Sequence, residues 1–311
     1  MSRVFCVWRL VYTIWGPLVG YDFMFKCLLF SGVHHSKVHL GVGFLLAFAV
    51  MYGPAQTVWA GETRVNATYI INAPVGSGKF RFASSQNGSR YKMQGRADFK
   101  AFLGFFEWKS QIASNGFVYS YKPKPNLYAF NAKASKKRER IRLDFSSSGV
   151  KAIKAVPPTK PHPKRIQLTK AHLRNVVDPL SAVLVFTDKA PSLTNGSKAC
   201  NRRLKIFDGR QRFDVVMSFK RKTYAQLANG QSRTAFVCRA KYRPIAGHKM
   251  NKTVKFMSQS KGLEVWLVPL PKAKMYVPYK IVVPIMLGTA SAELAQFRVS
   301  DPKAGVIALA K

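Results

Sequence analysis

Asp208-Gly209 sits between two runs in which apolar and charged residues alternate, and no other stretch restricts the fold of this chain as much. Asp-Gly between alternating runs is the strongest short-range sign of a β-hairpin. A two-residue loop there sets Phe207 opposite Arg210, Lys205 opposite Arg212, Leu204 opposite Phe213 and Arg203 opposite Asp214. Side chains alternate across a strand, so Leu204, Ile206, Phe213, Val215 and Met217 share one face. Arg203, Lys205, Arg210, Arg212 and Asp214 share the other. Cys200 before the hairpin and Cys238 after it are placed to staple it to the next strand.

The same rhythm runs through residues 61–311. Short β-branched and aromatic runs are separated by turn signals at Gly76-Ser-Gly78, Asn87-Gly88, Asn115-Gly116 and 146–149. Residues 102–108 are apolar and read as a short helix or a wide loop. Repeated turns between short alternating runs indicate antiparallel β-structure. Four prolines between Pro157 and Pro163 mark an extended linker or a loop crossing the sheet. One helix is expected after it: Asp178 is a good N-cap, Pro179 a good first helical residue, and 180–186 supply an apolar stripe. A single helix among so many strands argues against a parallel α/β sheet. The fold class expected is mainly β: an antiparallel curved sheet, or an open half-barrel or barrel, with one or two short helices and a helix packed at its mouth.

Residues 40–52 form an uninterrupted apolar run, preceded by Lys37 and closed by Gly53-Pro54, with Val58-Trp59-Ala60 behind it. Basic, apolar and small-residue segments in that order have the layout of a secretory signal. The run is shorter than the ~20 residues a bilayer span needs. Residues 1–60 are therefore read as an N-terminal extension plus signal peptide, and 61–311 as a single β-rich exported domain. An uncleaved N-terminal membrane anchor is the alternative. Cys6 and Cys27 fall in the removed part; Cys200 and Cys238 remain as a pair in an oxidising compartment, which predicts a disulfide.

Charge narrows the partners. The chain holds 51 Lys+Arg against 13 Asp+Glu. So large a positive field favours anionic partners. Between Arg90 and Arg174 there are 20 basic residues against four acidic ones, and Arg138, Arg140 and Arg142 alternate along one strand face. Arg138, Arg140, Arg142, Arg203, Lys205, Arg210 and Arg212 are the candidate anion-binding residues. Aromatics such as Tyr119, Tyr121, Tyr128 and Phe130 interleave with lysines, which suits single-stranded nucleic acid. Export argues against that ligand, and an anionic envelope lipid or glycan, or a membrane surface, fits better. A solvated basic face that keeps sheet edges soluble accounts for the same residues.

Little in the chain suggests catalysis. Gly76-Ser-Gly-Lys79 glances at a phosphate loop, but Ala73 and Phe80 stand where the motif needs Gly and Ser or Thr. No Gly-x-Ser-x-Gly elbow occurs. His162, His172 and His248 lack ligand spacing, so no metal and no cofactor are expected. Asp208, Asp214 and His248 are the residues to inspect for an envelope hydrolase, the alternative reading. Four glycosylation-type sequons, at Asn66, Asn87, Asn195 and Asn251, are given no weight.

The motifs taken in order resemble a known family. Asp178-Pro-Leu-Ser-Ala-Val-Leu184, Cys200, Phe207-Asp-Gly-Arg-Gln-Arg-Phe213-Asp214, Cys238-Arg-x-x-Tyr-x-Pro-Ile-Ala-Gly247, Glu264-Val-Trp-Leu267 and Val277-Pro-Tyr-x-Ile281 are similar to the exported "domain of unknown function 3108" family of Gram-negative, especially alphaproteobacterial, envelopes. The resemblance covers residues 64–299. It implies a periplasmic β-rich protein and brings no reaction and no catalytic residues. The expectation is therefore an exported, non-enzymatic protein that binds an apolar, amphiphilic or anionic envelope ligand such as lipid, lipoprotein or glycan. A nucleic-acid binder would require that the chain not be exported.

Overall fold

A computed structural model describes residues 61–135, 137–183, 185–187, 189–227 and 230–310. The signal and anchor expectations for residues 1–60 lie outside the described residues. Fourteen strands form one antiparallel sheet in the order β7-β6-β5-β4-β3-β2-β1-β13-β12-β11-β10-β9-β8, with β14 pairing on β13. The first seven are consecutive hairpins: β1 (Thr63–Ala73), β2 (Gly76–Asn87), β3 (Arg90–Ala101), β4 (Phe106–Tyr119), β5 (Lys122–Ala134), β6 (Lys137–Ser146) and β7 (Gly149–Val156). The second group is β8 (Arg202–Phe207), β9 (Arg212–Gln226), β10 (Ser232–Ala246), β11 (Glu264–Leu270), β12 (Met275–Ile285), β13 (Gly288–Asp301) and β14 (Gly305–Ala310).

Two turn signals act differently from the expectation. The β1–β2 turn falls at Pro74-Val75, so the glycines at 76 and 78 lie inside β2. Asn115-Gly116 marks a bulge within the continuous strand β4, where the register against β5 shifts. A Cβ on Gly116 would sit 2.2 Å from the Lys124 carbonyl oxygen, so glycine permits the close approach rather than a turn.

β1 to β7 bury alternate residues only, as β3 shows with Tyr91, Met93, Gly95, Ala97 and Phe99 inward and charged neighbours outward. The sheet is curled, because residues from opposite ends of the strand order share one core: Ile141 and Leu143 of β6 lie in the same cluster as Phe207 of β8. Stretches of the strands β8 to β12 are buried on both faces. One face joins that main core. The other forms a second core with Ile206, Phe213, Met217, Phe236 and Tyr242. Two short helices cover it, α1 (Gly196–Cys200) and α2 (Lys252–Gln259). Both are capped by sequon asparagines. Asn195 accepts from the Ser197 and Lys198 amides, and Asn251 from the Val254 amide.

The helix expected after Asp178 is instead a single 3-10 turn, Ser181–Val183. Ala182 is buried and Val183 half-buried, and Leu180 just before the turn is fully enclosed in the main core. Burial inside the sheet rather than a helical face explains their apolar run. The two helices stand on the outer face and not at the mouth.

The sheet does not close: β7 and β8 are its free edges. Residues 174–177 lie in the gap and bond to both sides. The Asn175 amide donates to the Ser148 carbonyl at 3.0 Å, the Val177 amide to the Lys205 carbonyl at 2.9 Å, and the Phe207 amide to the Val177 carbonyl at 3.0 Å. One irregular segment thus satisfies edge groups that would otherwise be left open.

Candidate anion-binding seam

Among the described residues, the void enclosed by the sheet is too small for a ligand. Between β1, β2, β12 and β13 and the Val183 and Val185 side chains there is a void of about 50 Å³. Ligand pockets occupy roughly 300–1,000 Å³, so this void holds a water or two at most. Residues 178–183, 185 and 186 pack beside it, held by a buried polar network. The Asp178 carboxylate accepts from the Leu180 and Ser181 amides, both at 2.9 Å, and from the hydroxyls of Ser181 at 2.6 Å and Ser114 at 2.9 Å. The Tyr91 hydroxyl lies 2.7 Å from Ser181 Oγ. Burial pushes the Asp178 carboxyl up, and these hydrogen bonds oppose the rise.

The seam is open instead. A cleft of about 530 Å³ runs from the β4–β5 turn and the β6–β7 turn, across residues 175–177, to β8. Lys122 and Lys124 line one side, and Arg202, Arg203 and Lys205 the other. Val176 and Ala182 form an apolar floor, Tyr121 and Phe145 add aromatic surface, and no carboxylate lines the cleft. Lys122, Lys124 and Lys205 are exposed and have no ion-pair partner among the described residues. Arg203 is half-exposed and reaches Asp214 at 2.6 Å. Arg202 is held by the Ala199 carbonyl at 2.9 Å and lies over the Tyr276 ring at 6.0 Å.

The structure sorts the candidate residues into four settings. Cys200 and Cys238 form the expected disulfide, with their Cα atoms 5.2 Å apart. Arg138, Arg140 and Arg142 line the outward face of β6 as expected, and Arg142 pairs with Asp144 at 2.9 Å. Arg203 and Lys205 reach the seam. Arg210 and Arg212 do not belong to an exposed basic face. Arg210 is buried against Glu139 at 2.6 Å, and Arg212 against Asp214 at 2.6 Å. The reason is that α1 and α2 cover the hairpin's apolar side, so the tip end of its charged side, with Asp208, Arg212 and Asp214, turns inward, while Arg203 and Lys205 stay at the open seam.

The hydrolase candidates have structural partners. Asp208 Oδ1 accepts from the Arg210 amide at 2.8 Å and the Gln211 amide at 2.6 Å. Asp214 is enclosed between Arg203 and Arg212. His248 is fully buried, with Nε2 3.2 Å from the Arg212 carbonyl, and burial lowers its pKa to about 4. None of the three lines the seam cleft. Sequence reasoning passed over Lys122, Lys124 and Arg202 as site residues. It also passed over Glu139, buried mid-run between Arg138 and Arg140, whose pKa burial raises to about 7. The alternation of β6 held the signal, since position 139 faces opposite to its arginine neighbours.

A curled antiparallel sheet, bridged at its seam by a loop and carrying a cationic cleft there, defines an open, barrel-like β-protein. The chain belongs to the family described as "Protein of unknown function (DUF3108)", whose model matches residues 64–295. A search of curated proteins finds no match. Among solved structures it is similar to a beta-barrel-like protein of domain of unknown function DUF1849 from Brucella abortus. That likeness is at 9% identity and TM-score 0.45, covering 77% of this chain and 98% of that one. It is also similar to a DUF1329 family protein from Desulfovibrio piger at 8% identity and TM-score 0.18, covering 81% and 84%.

Proposed function

We propose that the protein is exported to the periplasm and binds, without catalysis, an anionic amphiphile of the envelope in the seam cleft. The observation that carries this reading is the cleft itself: five cations, no lining carboxylate and an apolar floor, at the place where the sheet fails to close. Cations gathered along a concave wall attract an anionic group more strongly than scattered surface charges do. The apolar floor and aromatic surface favour a ligand with hydrocarbon attached. Export is supported by the apolar run at 40–52 and by the paired cysteines.

The test is calorimetric titration with dihexanoylphosphatidylglycerol below its micelle concentration, against dihexanoylphosphatidylcholine. The anionic lipid should bind and the zwitterionic one should bind far more weakly. Reversing two exposed lysines, K124E/K205E, should weaken binding at least about tenfold, the effect of losing ~1.4 kcal/mol. Equal binding of both lipids, or an unaffected variant, would remove the seam from consideration.

A further inference from the structure

The β3–β4 turn exposes large apolar residues at the opposite end of the sheet from the seam's lysine-bearing turn. Leu103 is 101% exposed and Phe105 90% exposed. Phe102 and Leu103 both take positive φ, 51° and 57°. That backbone is costly for bulky residues; Phe102 turns back onto the main core, while Leu103 and Phe105 stand in solvent. Neighbouring turns extend the patch. The Phe102 amide donates to the Val75 carbonyl at 2.9 Å, which places the β1–β2 turn alongside. A Cβ on Gly288 would lie 3.1 Å from Pro74, so the β12–β13 turn stands next in line, with Met286 and Leu287 exposed at 44% and 53%.

Cations lie directly below this rim on the outer face. A groove of about 890 Å³ over β2 to β6 is lined by Arg96, Lys100, Lys133, Arg138 and Arg140, none with an ion-pair partner among the described residues. Its carboxylates are already engaged: Asp98 by Arg81, Glu107 by Lys109 and Glu139 by Arg210. An apolar edge with a cationic collar is what an anionic bilayer accepts, side chains entering the acyl boundary and cations meeting headgroups. We infer that the rim formed by Leu103, Phe105, Met286 and Leu287 docks the protein on an anionic lipid bilayer, with the β6 arginines as its headgroup contacts. This uses a surface distinct from the seam and does not depend on it.

The test places a nitrobenzoxadiazole label at Leu103→Cys in the full chain with C6S/C27S and the Cys200–Cys238 disulfide intact. The control label is at Asn87→Cys, in the β2–β3 turn at the other end of the sheet. With phosphatidylglycerol–phosphatidylethanolamine vesicles, emission at 103 should shift to the blue and emission at 87 should not. Pure phosphatidylcholine vesicles and soluble dihexanoylphosphatidylglycerol, the seam's probe, should leave both unshifted. L103S/F105S, at exposed positions that folding does not need, should weaken vesicle binding about tenfold or more. A label at 103 that stays in water, a shift at 87 as large as at 103, or an equal shift on neutral vesicles would overturn the inference. An L103S/F105S variant that binds anionic vesicles as tightly as the parent would overturn it too.

Discussion

Glu139 and Asp208 are two carboxylates brought together in a nearly dry interior, and their charges shape how the fold responds to pH. Burial raises Glu139 to about 7, with Arg210 pulling it down and Asp208 adding to the rise. Burial likewise raises Asp208 to about 6, against hydrogen bonds from the Arg210 and Gln211 amides. Glu139 Oε2 and Asp208 Oδ2 are buried without a hydrogen-bond partner. A folded pKa above the unfolded 4.5 means that Glu139 costs the fold nothing below that value, and that stability falls as pH rises through about 7. The variant E139Q keeps an acceptor for Arg210 without the charge. It should flatten the fall in unfolding free energy across that window, by on the order of 1–3 kcal/mol, in urea titrations at several pH values. An unchanged slope would show that Glu139 is not the group responsible. None of this was legible from residue types. The Arg138, Arg140 and Arg142 face follows from alternation alone, but the pairing of Glu139 with Arg210 joins residues 71 positions apart.

Hairpin β8–β9 shows which part of an element a sequence encodes. The expected faces are right, because the observed pairs Ile206↔Phe213 and Leu204↔Val215 put the apolar residues together. The register is not the expected one: Phe207 pairs with Arg212, two positions further on. Asp208 explains the difference. Its carboxylate caps the amides of Arg210 and Gln211, which turns a two-residue loop into a four-residue one of 208–211. A shift by two preserves the faces, so patterning could not reveal it. The turn also has a tertiary task, for Gly209 has φ +101° and a Cβ there would lie 2.3 Å from Ile141 Cγ2 on β6. G209A should therefore cost about 2–4 kcal/mol in guanidinium unfolding, strain and overpacking together. G88A, at a turn with φ +55° and nothing within 4 Å, should cost only ~1 kcal/mol. Equal losses would mean that the hairpin tip does not pack on β6. The misread helix has the same origin as the register error. Local capping by Asp178 is real, but Leu180, Ala182 and Val185 are buried in the two cores and have no reason to present a helical face.

At the scale of the molecule, strand density and turn spacing made the antiparallel sheet legible, and the expectation of an oxidising compartment made the disulfide legible. The seam was not, because it depends on how far fourteen strands curl and on which edges remain unpaired. In that geometry the void enclosed among the described residues is small, and the concave cationic surface lies where residues 174–177 bridge β7 and β8. Native mass spectrometry of the protein from the envelope fraction, prepared without reductant, tests this most directly. The account predicts the mass of residues 61–311 less two hydrogens, carrying an anionic lipid adduct that the K124E/K205E variant loses. A ligand-free mass, or an adduct kept equally by the variant, would contradict it.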